Sequence, residues 1–322
     1  MIVAMTGIPK PADRDTVVVS LPDNPERVHM GDLPANVDVR LVPPGPEPVP
    51  DLAEVDLIVP SVRTQAPLLE LLAVGGGRLR VIQTTSAGVD WLIGRVPEHV
   101  TVCNARGVYD APLSEWVAGA ILAMQRGLVQ SRDAQARREW EAIEPPELLG
   151  RRVVILGFGS IGTAVADRLR PFGVEVIGVG RSARDGVRGL ADLDEVLREA
   201  EILVNILPLT SETRGLLDAR RLSLLPDGAL VVNAGRGRTI ETNALVEELH
   251  SGRIRAALDV TDPEPLPPDH PLWDLPNVLI TPHMAGDSPG STIRAFELAG
   301  DQIRRFSAGE SLINEVARYL LE

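Results

Sequence analysis

The chain has a single cysteine in 322 residues, Cys103, so neither a disulfide framework nor a cysteine metal site is possible. At the end of a short apolar run, Cys103 reads as a small buried residue. Basic charge is also scarce. Lys and Arg total 32 against 45 Asp and Glu, and the formal net charge of −13 argues against a nucleic-acid partner. No apolar run approaches the roughly 18 residues that read as a membrane span. Residues 1–11 lack the basic and then apolar pattern of a secretory signal, so a cytoplasmic protein is the expectation. The first dozen residues carry no periodicity, which predicts a mobile terminus. No internal repeat is visible. What the chain does have is material for a core: 44 % hydrophobic residues, in a length suited to about two domains.

The most informative stretch is 151–169, R-R-V-V-I-L-G-F-G-S-I-G-T-A-V-A-D-R-L. Residues 153–156 are apolar and rich in β-branched types, as suits a strand buried on both faces. Gly157, Gly159 and Gly162 then follow in G-x-G-x-x-G spacing. Ile161, Val165 and Leu169 recur every four residues and define one helix face. The spacing predicts a tight turn at Gly157, close backbone approach to a pyrophosphate at Gly159 and close helix–strand packing at Gly162. A new helix N-terminus presents N–H groups and a positive dipole end to that pyrophosphate. Alone, the glycine pattern is an ordinary turn. Between a strand and a helix, with a further strand at 174–179, it points to a dinucleotide site.

Upstream, strands are predicted at 16–20, 37–42, 57–59, 79–84 and 100–103, with a proline-rich loop at 43–50. A short helix is predicted at 67–74, with Pro67 in its first turn. This alternation implies a small parallel α/β domain. The Ser86-Ala87-Gly88-Val89-Asp90 turn sits at a strand's carboxyl end, where such sheets bind ligands. Residues 104–109 read as a crossing between domains. A long helix begins at Asp110, which can cap it, and Leu113, Trp116, Val117, Ala120, Ile121 and Met124 form its apolar face. The charged run 126–138 reads as a solvated continuation. Downstream, strands are predicted at 202–207, 230–233, 254–260 and 278–280. Helices are predicted at 190–200, 241–251 and 293–306.

Arg236, Glu264 and His283 each follow one of these parallel strands, whose carboxyl ends share one sheet edge. The other histidines, His29, His99, His250 and His270, lie in polar or proline-rich surroundings and read as surface residues. Separately, Arg236 and Glu264 are loop charges. Together, the three residue types suit reduction of a 2-oxo acid. An arginine fork binds a carboxylate through two hydrogen bonds, and a histidine gives the developing alkoxide its proton. A glutamate against the ring favours the charged imidazole.

The sequence resembles the D-isomer-specific 2-hydroxyacid dehydrogenase family over nearly its whole length, as a glyoxylate/hydroxypyruvate reductase-like member. The matching pieces are Ser-Ala-Gly-Val-Asp at 86–90, Asn-Ala-Arg-Gly-Val-Tyr at 104–109 and Gly-Phe-Gly-Ser-Ile-Gly at 157–162. To these add Asn-Ala-Gly-Arg-Gly at 233–237, Asp-Val-Thr-Asp-Pro-Glu-Pro-Leu at 259–266 and Thr-Pro-His at 281–283. The resemblance implies a doubly wound Rossmann cofactor domain, 104–290, inserted in a flavodoxin-like substrate domain, 1–103 and 291–322. It implies Arg236, Glu264 and His283 as catalytic residues, and substrate contacts from Arg236, His283 and the backbones of Ala87 and Gly88. It implies cofactor contacts from Gly157, Gly159, Ser160, Ile161, Gly162, Arg181, Ser182, Leu207, Pro208, Thr213, Ala234, Asp259 and Ala285, with Asp259 at the nicotinamide carboxamide. A homodimer is the usual assembly, with the helix at Asp110 as hinge and dimer element. No regulatory domain is expected after the last helix.

Two other activities fit the same fold. A formate-type one-carbon dehydrogenase needs no His–Glu pair, and the glutamate at 264 argues against it. An NAD(H)-sensing transcriptional co-repressor retains the polar residues, but the compact C-terminus argues against that reading. On the cofactor, NAD-selective folds of this kind place Asp or Glu at the end of the second strand. Here Gly180, Arg181 and Ser182 stand there, with no carboxylate before Asp185. Arg181 and Ser182 suit a 2′-phosphate, and Arg184 adds charge, so NADP is the expected preference with NAD possible. The competing reading is a solvated Arg181 and acceptance of both cofactors.

Overall fold

The computed structural model describes residues 16–44 and 51–320. The expected mobility of the first dozen residues, and most of the proline-rich loop, fall outside them. Two compact units divide the chain: Met1–Val108 with Ser288–Glu322, and Tyr109–Asp287.

The first unit contains β1 (Val17–Pro22), β2 (Val37–Val42), β3 (Leu57–Ile58), α1 (Val62–Ala73), β4 (Val81–Gln83) and β5 (Thr101–Cys103). The five strands pair in parallel in the order β2-β1-β3-β4-β5. This is the flavodoxin-like order of a doubly wound sheet. A parallel sheet covered on both faces requires apolar residues at successive positions, and Val17, Val18, Val19 and Leu21 are all buried. α1 begins earlier than its periodicity predicts, and Pro67 lies inside it rather than in its first turn. The Thr64 hydroxyl accepts from the Ser61 N–H at 2.7 Å and secures the helix start, and the helix runs on through Pro67 without that residue's N–H. Residues 104–108 belong to this unit because its own groups hold them. The Asn104 side chain donates to the Ala87 carbonyl, the Ala105 N–H to Ser86, and Arg294 to the Val108 carbonyl. The division therefore falls at 108/109 rather than at 103/104.

The second unit runs α2 (Asp110–Gln125), α3 (Leu128–Arg137), β6 (Arg152–Leu156), α4 (Ser160–Leu169), β7 (Glu175–Gly180), β8 (Val187–Gly189), α5 (Leu193–Leu197), β9 (Ile202–Asn205), α6 (Ala219–Leu222), β10 (Leu230–Asn233), α7 (Thr242–His250), β11 (Arg255–Leu258) and β12 (Val278–Ile280). Its seven parallel strands take the order β12-β11-β10-β9-β6-β7-β8. Counted from β6, this is the Rossmann order 3-2-1-4-5-6 with a seventh strand, and the order reverses between β6 and β9. Period-2 alternation splits the core over the two faces. Val154, Leu156, Leu203 and Val231 pack on one side; Val153, Ile155, Val204 and Val232 pack on the other, against Val117, Ile121 and Val165. The chain then returns to the first unit through α8 (Pro289–Ala308), whose N-cap, Ser288, accepts from the Ser291 N–H at 3.0 Å. That cap places the second division at 287/288 rather than 290/291.

Three expectations differ here. Asp110 is the first residue of α2 and not its cap, a position held by Tyr109. Its carboxylate instead accepts from the Ser160 hydroxyl at the start of α4. The charged run is not a continuation of α2: Gly127, with φ 64°, ends that helix, and α3 is separate. β8 and α6 were not anticipated, because segments of three and four residues carry too little period to read. Among the described residues, no helix is long and apolar enough to cross a membrane, and no group of three or more His, Cys, Asp or Glu could hold a metal.

Candidate active site

The glycine loop opens directly from β6 at the point where strand order reverses. Gly157 has φ 96°, and a Cβ there would sit 2.7 Å from the Ile206 carbonyl oxygen. A Cβ on Gly162 would sit 2.6 Å from the Gly157 carbonyl oxygen, so helix and loop meet at backbone distance. A Cβ on Gly159 would meet nothing within 4 Å. The loop therefore presses into the sheet on one side and is open at the N-terminus of the ten-residue α4, an arrangement that fits a dinucleotide pyrophosphate. Ile161 is half-buried on this helix, while Ser160 bonds Asp110.

At the end of β7, Arg181 and Ser182 are exposed, and the Arg181 guanidinium donates to Glu212 at 2.8 Å. The Arg184 guanidinium donates to the Phe158 carbonyl inside the glycine loop. After β9, Leu207 is buried and Pro208 exposed. The Thr213 hydroxyl donates to the Pro208 carbonyl at 2.6 Å, so it shapes that turn. Ala234 and Ala285 are buried.

Arg236 lies between two glycines that explain its loop. A Cβ on Gly235 would sit 2.8 Å from the Leu207 carbonyl oxygen, and one on Gly237 would collide with the Thr261 carbonyl. The Arg236 loop is thus pressed against the loop that carries Glu264. That second loop is anchored in turn, since the Asp262 carboxylate pairs with Arg238 at 3.3 Å and the Asp262 carbonyl accepts from Thr242 at 2.7 Å.

His283 follows β12 with φ 53°, a left-handed conformation that costs a non-glycine residue about 1–3 kcal/mol. Asp259, at the end of β11 and only 3 % exposed, holds it there. The Asp259 carbonyl accepts the His283 N–H at 2.8 Å. Its carboxylate accepts the Thr281 hydroxyl at 2.6 Å, the Met284 N–H at 2.9 Å and the Ala285 N–H at 3.0 Å. The motifs did not disclose this clamp, because an aspartate after an apolar run looks like any loop carboxylate. The His283 Nδ1 lies 2.5 Å from Glu264 Oε1, with both side chains part-exposed. A carboxylate accepts only, so Nδ1 carries the hydrogen and Nε2 is the other ring nitrogen available for proton exchange.

In the first unit, three carbonyls of the Ser86–Asp90 loop are held by neighbouring side chains. The Ser86 carbonyl accepts from the Thr84 hydroxyl at 2.7 Å, and the Gly88 carbonyl from the Ser86 hydroxyl at 2.8 Å. The Ala87 carbonyl accepts from Asn104 at 2.8 Å. A cavity of about 180 Å³ beside Gln125, Ile143 and Arg255 holds none of the candidate residues. It lies at the opposite end of β11 from Asp259.

The family model of the D-isomer specific 2-hydroxyacid dehydrogenase NAD binding domain matches residues 118–285. The glyoxylate reductase of Thermofilum pendens is 34 % identical over 257 residues, covering 74 % of this chain and 75 % of that protein. The solved structure of an NADPH-dependent glyoxylate/hydroxypyruvate reductase from Sinorhizobium meliloti, in complex with NADP and sulfate, is 29 % identical with a TM-score of 0.81, covering 95 % of this chain and 100 % of that one. A D-isomer specific 2-hydroxyacid dehydrogenase from Xanthobacter autotrophicus Py2, in complex with NADPH and MES, is 32 % identical with a TM-score of 0.77, covering 92 % and 98 %. With the reversal-point glycine loop and the strand-end loops already in place, these matches settle the family: the chain belongs to the D-isomer specific 2-hydroxyacid dehydrogenases, enzymes that use a nicotinamide cofactor to interconvert 2-oxo acids and D-2-hydroxy acids.

Proposed function

We propose that the enzyme works through Arg236, Glu264 and His283, reduces glyoxylate, hydroxypyruvate or a larger 2-oxo acid, and prefers NADPH to NADH. The observation that carries the reading is the 2.5 Å contact between His283 Nδ1 and Glu264. When bound, the reduced nicotinamide supplies a hydride to the carbonyl carbon. Arg236 holds the substrate carboxylate in a two-pronged grip. Glu264 orients the imidazole through its contact with Nδ1, and His283 Nε2 gives its proton to the carbonyl oxygen. One hydride and one proton convert C=O into CH–OH; in the oxidation direction, neutral His283 takes the proton back. Ala87 and Gly88 are proposed to contact the substrate through their backbone N–H groups, their carbonyls being held by Asn104 and by the Ser86 hydroxyl.

We assign the pyrophosphate to Gly157, Gly159, Ser160, Ile161 and Gly162. The remaining cofactor contacts are assigned to Leu207, Pro208, Thr213, Ala234, Asp259 and Ala285. The preference for NADP rests on Arg181 and Ser182 standing where NAD-selective relatives place a carboxylate. A 2′-phosphate can replace Glu212 as the partner of the exposed Arg181 guanidinium. The solved relatives holding NADPH and NADP support the same assignment. A cytoplasmic homodimer is part of the proposal. The exposed Leu128 and the fully exposed Trp140, beside α3, support burial against a second copy.

The test is a panel of 2-oxo acids assayed with NADPH and with NADH, with chiral analysis of the product and sedimentation of the protein. Turnover to the D-isomer, faster with NADPH, is expected. No turnover of any 2-oxo acid would overturn the reading.

A further inference from the structure

Behind the catalytic loops lies a buried polar cluster that the chemistry so far leaves unused. Asn205 and Thr239 are 0 % exposed and Asn233 is 1 % exposed. Asn205 and Asn233 stand in register at the carboxyl ends of the neighbouring strands β9 and β10. Valines precede both, and a further apolar residue would fill either position without a buried amide to satisfy. Instead, the three side chains bond one another. The Asn205 amide nitrogen donates to Asn233 Oδ1 at 3.0 Å and to the Thr239 hydroxyl at 2.6 Å. Asn205 Oδ1 accepts the Leu207 N–H at 3.4 Å, and Asn233 Oδ1 accepts the Gly235 N–H at 3.2 Å.

The cluster converges on one backbone atom, the Arg236 carbonyl oxygen. It accepts from the Thr239 hydroxyl at 2.6 Å, from the Thr239 N–H at 3.2 Å and from the Asn233 amide at 3.3 Å. Three donors on one carbonyl fix the peptide from which the guanidinium departs. The hydroxyl of Thr239 links the two sides of the cluster: it accepts from Asn205 and donates its one hydrogen to the Arg236 carbonyl, so its removal breaks both bonds at once.

We propose that Asn205, Asn233 and Thr239 are positioning residues for Arg236, and that this buried network sets the affinity for the 2-oxo acid carboxylate without touching it. The inference rests on Arg236 as the carboxylate fork. Thr239 is the informative position, because its side chain bonds only Asn205 and the Arg236 carbonyl, and none of the residues assigned to the cofactor apart from that link.

The experiment compares Thr239→Val, Thr239→Ser and Arg236→Ala in steady state, with NADPH and whichever of glyoxylate, hydroxypyruvate or pyruvate the wild type turns over fastest. Thr239→Val is expected to raise the KM for the 2-oxo acid by about tenfold or more, the scale of one lost charge-positioning contact, with a much smaller change in kcat and an unchanged Kd for NADPH. Thr239→Ser restores the wild-type KM. In an Arg236→Ala background, Thr239→Val adds no further increase, because the group that it positions is gone. If Arg236→Ala leaves KM unchanged, the carboxylate assignment itself fails. If Arg236→Ala raises KM while Thr239→Val lowers only the melting temperature, or if the two effects add, the network is merely structural and the proposal is overturned. Should Thr239→Val not accumulate in soluble form, Thr239→Ala is read against the same outcomes.

Discussion

Asp259→Asn is the substitution that most directly probes how the His283 loop is held. The carboxylate uses one oxygen for the Thr281 hydroxyl and the Met284 N–H, and the other for the Ala285 N–H. Asparagine keeps an oxygen where two donors converge, so its amide nitrogen faces the Ala285 N–H. A hydrogen bond to a charged group is lost, worth about 1.5–3 kcal/mol, and a buried donor is left unmet, at about 1–3 kcal/mol. These losses overlap, so about 3 kcal/mol is a fair measure for the loop. The clamp presently offsets the strain of His283 at φ 53°. If that cost is met anew at each turnover, kcat falls by about a hundredfold, since about 1.36 kcal/mol corresponds to tenfold in rate. The assay is steady-state oxidation of NADPH with the best 2-oxo acid, alongside thermal melting and a Kd for NADPH. Any backbone contact from Asp259 to the cofactor survives the substitution, so the loss is expected in kcat rather than in Kd. An unchanged kcat at an unchanged melting temperature refutes the clamp.

Two further outcomes are expected. Arg181→Asp lowers the ratio of kcat/KM for NADPH over NADH by placing an acid where the 2′-phosphate is expected; an unchanged ratio removes Arg181 as the phosphate reader. Burial, and then the charge of Glu315, pushes the Cys103 thiol up from 9.0 to about 12. The stabilisation from the neutral thiol is therefore complete below pH 9.0 and is lost as pH climbs toward about 12. Cys103 should resist thiol reagents in the folded protein and react once it is unfolded; rapid labelling of the native enzyme runs against this.

Much of the layout is legible locally. The buried strand at 153–156, the glycines at 157, 159 and 162 and the helix behind them lie within twenty residues, and their periods differ sharply. Arg236, Glu264 and His283 stand out because each follows a short apolar run, and parallel strands bring such loops to one edge. What stayed hidden depends on distance along the chain. Asn205 meets Thr239 across 34 positions, and Asp259 meets Ala285 across 26. Nothing in either residue's immediate neighbours signals the partner. The end of α2 at Gly127 was equally obscure, since helix-compatible residues flank it on both sides and only its left-handed φ breaks the helix. The bonds of Thr213 to the Pro208 carbonyl and of Arg184 to the Phe158 carbonyl were equally out of reach, since neither loop's conformation can be read from its residues.

The central claim is that His283, oriented by Glu264, delivers the proton that completes reduction of a 2-oxo acid. The direct measurement is the single-turnover rate of NADPH oxidation in His283→Ala against wild type, with the Kd for NADPH determined in parallel. The account predicts a rate lower by roughly 10²–10⁴-fold with NADPH binding retained. A single-turnover rate near that of the wild type would contradict it.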